Sequence, residues 1–195
     1  MLKLRQKFDY AWFIPTNTYL HEYTQQFRQY YPERGYEASV FLGQLNYTTD
    51  INKILRLSNQ LENQTVLNLV QSWTTPFKDF LLKHYDKDIT TTVLTDKEWK
   101  FYLSKFLFSP EGGKFQAQFR FAKKLKCGEE SPDVIVSSIN FNFHAFKERD
   151  EYIPAKNAIS ELITDSEFDS GDKVAFLWGK VFGNWITGLK GLGFN

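Results

Sequence analysis

Apolar and polar residues alternate along two segments in the middle of the chain, and this pattern restricts the possible fold more than any other feature of the sequence. In residues 115–121, phenylalanines and one alanine alternate with glutamines and an arginine; in residues 134–146, apolar residues alternate with serine, asparagine and histidine. A two-residue period predicts strands with one face in the core and the other in solvent. Because the polar segment 123–133 lies between them, we expect a long-looped antiparallel hairpin.

Two further segments predict strands. Residues 36–45 are rich in valine, phenylalanine and leucine, and residues 172–182 are apolar at both odd and even positions. Apolarity on both faces is typical of a central strand. We therefore expect one antiparallel sheet in which the first and last strands pair at the centre. Its strands are expected near residues 37–45, 114–121, 134–146 and 173–182.

Apolar residues at spacings of three and four predict helices in the rest of the chain. Helices are predicted after a cap at Thr16 or Asn17, at three places between residues 49 and 109, and around Ile159. The second of the three central patterns begins with the apolar stripe Val66, Leu69, Val70 and Trp73. The third begins with the capping-box pattern Thr95-x-x-Glu98, which favours a helix start at that point.

The element order is therefore strand, helical block, strand, strand, helix, strand. With right-handed crossovers, this order predicts an α+β fold, a ferredoxin-like split βαβ sandwich (βαββαβ) with extra helices inserted after the first strand. We expect a single domain over residues 1–195. It divides into a helical lead-in at 1–35, a ferredoxin-like core at 36–182 with the helical insertion at 49–109, and a tail at 183–195.

Composition excludes several classes of protein. A length of 195 residues suits about one domain, and a net charge of +1 gives no field for a nucleic-acid partner. The 34 aromatic residues (Phe 19, Tyr 10, Trp 5) can build a large core. A single cysteine, Cys127, excludes an intrachain disulfide and a cysteine-based zinc site.

No residue pattern points to catalysis, so we expect no catalytic, cofactor or metal site and no enzyme activity. The three histidines, His21, His84 and His144, fall in different predicted elements, and nucleophile or phosphate-loop motifs are missing. The acidic segment 165–172 could bind calcium, but its glycine is at the seventh position where an EF-hand needs it at the sixth, which favours a solvated loop. The basic run at 123–126 could contact phosphate or be a self-compensating hairpin loop.

Two sequons mark candidate sites of N-glycosylation, Asn46 in Asn-Tyr-Thr and Asn63 in Asn-Gln-Thr. Both are expected at the surface ends of elements. They carry glycans only if the chain enters a secretory lumen.

Five ordered motifs resemble a known family. Residues 12–20 resemble the start of the first large extracellular loop of Patched-related proteins. These form the eukaryotic branch of the resistance-nodulation-division superfamily, with the Niemann–Pick type C and Dispatched-like proteins. The likeness continues through residues 31–36 into 40–43, Ser72-Trp73-x-x-x-Phe77, Phe106-Leu107 ahead of 115–121, and residues 176–182.

The resemblance implies an extracellular or luminal porter domain of a multi-pass membrane protein, with the tail 183–195 approaching the next membrane span. The implied partners are a second porter domain and the transmembrane helices of the same protein, with sterol or another lipid as cargo and no nucleic acid. The same fold could instead be an interaction or docking module that does not transport. The residues alone do not select the lipid-facing surface. Five phenylalanines could face lipid, although core packing beneath the helices is the favoured interpretation of each: Phe115, Phe119, Phe121, Phe141 and Phe143.

Overall fold

The computed structural model describes residues 14–43, 45–146, 151–170 and 175–179. They form a mixed α+β fold of helices and antiparallel strands. In chain order the elements are α1 (Tyr19–Tyr30), β1 (Arg34–Gly43), α2 (Tyr47–Glu62), β2 (Leu67–Gln71), α3 (Thr74–Tyr85), α4 (Asp96–Leu107), a 3₁₀ helix (Gly113–Gln118), β3 (Phe119–Phe121), β4 (Val134–His144), α5 (Tyr152–Thr164) and β5 (Ala175–Gly179). The predicted tail at 183–195 and the first part of the lead-in, residues 1–13, lie outside the described residues.

The five strands form one antiparallel sheet, in which β2, β4, β1 and β5 are neighbours in that order and β3 also pairs with β4. The long strand β4 pairs with β1 along one side from residue 136 to residue 144. Its other side must therefore hold the two short strands, β3 beside residues 134–137 and β2 beside residues 140–143. The predicted antiparallel sheet and the predicted strands near 37–45 and 134–146 are confirmed.

The first and last strands pair as predicted, but the expectation that both are central is wrong. Among the described strands, β5 pairs with β1 alone and lies at the sheet edge. Its apolarity on both faces has a different cause: Ala175 and Leu177 face the core, whereas Phe176 and Trp178 are exposed beside Phe41. The remaining predicted strand positions, 173–174 and 180–182, lie outside the described residues.

The predicted strand at 114–121 is wrong for most of its length. Residues 113–118 form a 3₁₀ helix, and only Phe119–Phe121 pair with β4. The Gln116 side chain holds this helix against the end of α4, because it donates to the carbonyl of Leu107 at 2.6 Å. It also places the Phe115 ring against Phe106, with the ring centroids 6.0 Å apart. Tertiary contacts with the end of α4 thus override the alternating pattern.

The predicted helical stripe beginning at Val66 is also wrong. Residues 67–71 form β2, because β4 offers an unpaired edge there, and Leu69 takes a positive φ of 52°. The next helix begins only at Thr74, so Pro76 lies in its first turn, where a missing N–H costs no hydrogen bond. The first helix begins later than predicted as well, since its cap is Thr18 and neither Thr16 nor Asn17.

The core lies between one face of the sheet and the helices. From the strands it takes Val40, Leu42, Ile139, Phe141 and Phe143, which point to the same face. From the helices it takes residues of α2, α3, α4 and α5, including the fully buried Leu57, Phe77, Phe106 and Ile159. The core therefore occupies one side of the sheet, and the opposite side carries Phe41, Phe176, Trp178 and several polar residues.

Gly112 gives a test of the turn that connects α4 to the 3₁₀ helix. A Cβ atom at Gly112 would lie 2.1 Å from the carbonyl oxygen of Phe106, whereas one at the adjacent Gly113 would be 3.9 Å from its nearest neighbour. We expect Gly112→Ala to lower the free energy of unfolding by ~2–4 kcal/mol through this clash. Gly113→Ala is the matched control and should stay within ~1 kcal/mol of the wild type. Equal urea midpoints for the two variants would contradict the described turn.

Glu98 gives a test of the capping box that begins α4. Its carboxylate contacts the Lys87 ammonium at 2.5 Å and accepts from the Thr95 N–H at 3.0 Å, and these contacts lower the pKa of Glu98 from 4.5 to about 2. Because the pKa is lower in the folded state, the stabilisation is full above pH 4.5 and is lost as the pH falls toward 2.

We therefore expect Glu98→Gln to lower the urea midpoint at pH 7 and to approach the wild-type midpoint as the pH falls toward 2. The exposed Glu161→Gln on α5 is the control, and its midpoint should follow that of the wild type throughout. A Glu98→Gln deficit that persists unchanged at the lowest pH would contradict the proposed linkage.

Candidate functional site

The face of the sheet opposite the core carries an exposed aromatic cluster. The register pairs Phe41 with Phe176 and Ser39 with Trp178, which places all three rings on this face. The ring centroid of Phe41 lies 5.4 Å from that of Phe176 and 6.3 Å from that of Trp178. Phe176 is 53% exposed and Trp178 46% exposed. We call Phe41, Phe176 and Trp178 the aromatic cluster of the open sheet face.

A polar cleft of about 290 Å³ lies beside this cluster and is lined by Arg34, Ser39, Asn140, Asn142 and Trp178, among others. The Ser39 hydroxyl donates to Asn140 Oδ1 at 2.9 Å. With its amide oriented to suit both neighbours, Asn142 accepts from Arg34 Nε at 2.7 Å and donates to the carbonyl of Phe141 at 3.2 Å. The open sheet face therefore presents aromatic side chains at its β5 edge and hydrogen-bonding side chains where β1 and β4 lie.

A second cleft, of about 530 Å³, lies at the end of the sheet between the first turns of α2 and α4. Lys100 stands in its wall and contacts Asp96 and Asp133, each at 2.7 Å. Asp133 and Asp96 raise the pKa of Lys100, and Lys100 in turn lowers the pKa of Asp133. These ion pairs link α4 to the segment before β4.

Tyr47 lines the same cleft but its hydroxyl is buried. The oxygen lies 3.1 Å from the carbonyl oxygen of Leu42 and 3.0 Å from the hydroxyl of Ser137, and the ring stacks on Trp99 at 5.5 Å. Burial raises the pKa of Tyr47 to about 12. The phenol therefore stays protonated at neutral pH and acts as a structural hydrogen-bond donor.

The acidic segment that could have bound calcium is held by protein groups. The fully buried Asp50 accepts from the backbone N–H of Asp169 at 2.8 Å and from the hydroxyl of Ser170 at 2.7 Å. The Lys53 ammonium contacts Asp169 Oδ1 at 2.5 Å. Asp172, the last acid of the segment, lies outside the described residues. These contacts fasten the segment after α5 onto the first turns of α2.

In the described part of the chain, no cluster of three or more His, Cys, Asp or Glu side chains is arranged to hold a metal ion. The three histidines lie on α1, α3 and β4. Lys126 of the basic run contacts Glu129 at 3.4 Å, and Cys127 beside it is exposed.

Four of the five phenylalanines that the sequence offered as lipid-facing are buried in the core. They are Phe115, Phe119, Phe141 and Phe143, and Phe121 packs against the core with partial exposure. Core packing, which the sequence favoured over a lipid-facing role for each of these phenylalanines, therefore accounts for them. Sequence reasoning missed Phe41, Phe176 and Trp178 instead. The signal that could have indicated Phe176 and Trp178 is the apolarity of residues 172–182 at both odd and even positions.

The two sequon asparagines lie at opposite ends of α2, and both are exposed. Asn46 caps the start of the helix, where its Oδ1 accepts from the N–H of Thr48 at 3.2 Å and from its hydroxyl at 2.7 Å. Asn63 follows the last turn, and its Nδ2 donates to the carbonyl of Asn59 at 2.9 Å. The exposure expected of both residues is confirmed.

No model of a known protein family matches the chain, and no curated protein is significantly similar to it. Among the described residues, none of the helices combines the length and the apolarity that crossing a bilayer requires.

Glycosylation gives a test of the compartment. If the chain is luminal, the protein made in a secretory host should carry glycans at Asn46 and Asn63, detected as two decreases in mass on enzymatic deglycosylation. Asn46→Asp should remove one of them while keeping a capping oxygen for α2. Thr65→Ala should remove the other, because it breaks the sequon without touching the Asn63 contact with Asn59. Two unmodified asparagines in the wild type would contradict luminal exposure.

Proposed function

We propose that this chain is an extracellular or luminal porter domain of a Patched-like multi-pass membrane protein and that it contributes one wall of a conduit for sterol or another lipid. The proposal rests on the ordered sequence motifs, on the strand order and on the open sheet face. It assigns no catalytic role to any residue of the chain.

The strand order supports the finer fold assignment, a ferredoxin-like split βαβ sandwich. In that topology the four main strands run in the order last, first, third, second, all antiparallel to their neighbours. Here β5, β1 and β4 follow that order. The place of the second strand, next to β4 on the side away from β1, is taken by β2 and β3 together. The helices α2, α3 and α4 fall between β1 and β3, which agrees with helices inserted in the first crossover.

The aromatic cluster of the open sheet face supports the role of a conduit wall. A lipid needs contiguous apolar surface, and Phe41, Phe176 and Trp178 offer it on rigid, hydrogen-bonded strands. The cluster is open on one side, so a lipid resting on it would leave much of its own surface in water. Closing the conduit requires a second surface, which we propose is the second porter domain of the same protein.

The polar half of the same face supports the alternative, a docking module that does not transport. The Arg34–Glu37 ion pair at 3.0 Å, the Ser39–Asn140 hydrogen bond and the amide of Asn142 are groups suited to a protein partner. The two functions differ in what the full-length protein must contain. Transport coupled to an ion gradient requires ionisable residues inside its membrane-spanning helices.

Sterol titration tests the conduit. We expect the 195-residue chain alone to bind labelled sterol weakly and the full-length protein to bind it tightly. In the full-length protein, Phe176→Ala with Trp178→Ala should weaken binding: losing ~100 Å² of apolar contact costs about 2.5 kcal/mol, more than tenfold in affinity.

The control replaces two half-exposed phenylalanines elsewhere, Phe101 in the middle of α4 and Phe108 just after it, which are 40% and 39% exposed. Phe101→Ala with Phe108→Ala should leave sterol affinity unchanged. Sub-micromolar, saturable binding by the chain alone would mean that it encloses a complete pocket, and the one-wall proposal would then be wrong. Full-length protein that binds no lipid but captures a protein through this face would favour the docking module.

A further inference from the structure

One side of helix α1 carries only aromatic and aliphatic residues. At 3.6 residues per turn, Tyr19, Leu20, Tyr23, Phe27 and Tyr30 fall within an arc of about 100°. Tyr31, just after the helix, extends the same side, since its ring centroid lies 5.3 Å from that of Phe27. We call these six residues the tyrosine face.

The tyrosine face points away from the core. Tyr19 is 81% exposed, Tyr30 69%, Tyr31 57%, Leu20 55% and Tyr23 51%. An amphipathic helix of a globular protein normally buries its apolar side, but the residue that α1 buries is Thr24. No other described helix or strand has an extensive contact with α1. This contiguous exposed apolar surface is of the kind that marks an interaction site.

The rings of the tyrosine face form a continuous ridge. Successive centroids from Tyr19 through Tyr23 to Phe27 are 6.4 and 5.9 Å apart, at the four-residue spacing of one helix side. The Arg34 guanidinium lies 5.8 Å above the Phe27 ring and is itself fixed by Glu37 at 3.0 Å. The surface is therefore a convex row of ordered side chains.

We propose that the tyrosine face lies on a lipid bilayer, with the axis of α1 parallel to the membrane surface and the rings at the level of the headgroups. Four of its six residues are tyrosines, whose apolar ring and polar hydroxyl suit a boundary that is dry on one side and wet on the other. No charged residue lies within the arc, and Glu22 and Arg28 lie on other sides of α1. Helices that lie in a membrane interface have this division.

The size of the surface favours a bilayer over a folded protein partner. A helix of 12 residues is about 18 Å long, and a third of its circumference offers less than the ~800 Å² that each partner buries in a stable complex. A bilayer needs no matching groove, because lipids adapt to a convex ridge. The proposal is independent of the conduit, since α1 and the aromatic cluster of the open sheet face share no residue.

Vesicle co-sedimentation of the 195-residue chain tests the proposal. The probes are large vesicles of phosphatidylcholine alone and of phosphatidylcholine mixed with phosphatidylserine. We expect binding to both, with little loss at high salt, because apolar burial drives it. The variant Tyr19→Ser/Tyr23→Ser/Tyr30→Ser should lower the partition coefficient by at least roughly tenfold. The corresponding Tyr→Phe variant should retain binding and keeps the test valid if the serine variant fails to fold.

The matched control replaces three exposed apolar residues elsewhere, as Leu82→Ser/Val93→Ser/Phe108→Ser, which are 49%, 80% and 39% exposed in the wild type. This control should bind vesicles as the wild type does. Circular dichroism and urea unfolding should show wild-type stability for the Tyr19/Tyr23/Tyr30 serine variant, since its altered side chains are exposed.

A spin label reports the orientation of the helix. In a Cys127→Ser background, a label at Tyr23→Cys should become accessible to oxygen dissolved in the bilayer, whereas one at Gln25→Cys, on the opposite side of α1, should stay accessible to a water-soluble relaxing agent. Equal accessibility of the two labels to each relaxing agent would overturn the proposal. So would wild-type protein that binds neither kind of vesicle. Self-association of the wild type that the serine variant abolishes, without vesicle binding, would assign the face to a second copy of the chain instead.

Discussion

Burial of Trp73 is the interaction on which the rest of the structure depends. The side chain is fully buried and lies at the junction where β2 ends and α3 begins. Its ring packs against four aromatic rings from four elements. The centroid-to-centroid distances are 6.3 Å to Tyr47 of α2, 6.2 Å to Phe77 of α3, 6.1 Å to Trp99 of α4 and 5.0 Å to Phe119 of β3. One side chain thus joins the three inserted helices to the edge of the sheet. Such a residue contributes both a large buried area and ring geometry that holds several elements in fixed positions.

This aromatic packing explains how a sheet with short edge strands accommodates a helical insertion. β2 and β3 are only five and three residues long, and each covers part of one side of β4. Neither short strand could hold its place by hydrogen bonds alone. They are fixed because Leu67 and Phe119, which they contribute, enter the same core as the helices. The insertion is therefore part of the core of the domain and not an appendage to it.

Two exposed aromatic surfaces remain after the core is accounted for, and they differ physically. The aromatic cluster of the open sheet face is carried on hydrogen-bonded strands next to hydrogen-bonding side chains, which suits an oriented ligand or partner. The tyrosine face of α1 is a convex ridge with no charged residue among its six, which suits the fluid, adaptable surface of a bilayer. We propose that one contributes to a lipid conduit and the other to contact with a bilayer. Both proposals are consistent with a domain that works next to a membrane.

The sequence by itself determined the features that depend on neighbouring residues. The capping box at Thr95 and Glu98 begins α4, and the apolar spacing between residues 51 and 61 forms α2. The alternation of apolar and polar residues from Ile139 to His144 lies in β4, the strand that pairs with three others. In each case the element that the local residues favour is also the element that buries the apolar side chains in the core. A local pattern is therefore sufficient to predict it.

Only the tertiary structure decided the segments whose local patterns were ambiguous. Residues 67–71 carry a helical spacing but form β2, because β4 has a free edge there and Trp73 must reach the core. Residues 113–118 alternate but form a 3₁₀ helix, because the end of α4 holds Phe115 and Gln116. The outward direction of Phe176, Trp178 and the tyrosines of α1 was likewise decided by which side of each element the core occupies. An apolar residue in the sequence indicates only that burial of its side chain is favourable. The packing of distant elements determines whether the side chain is buried.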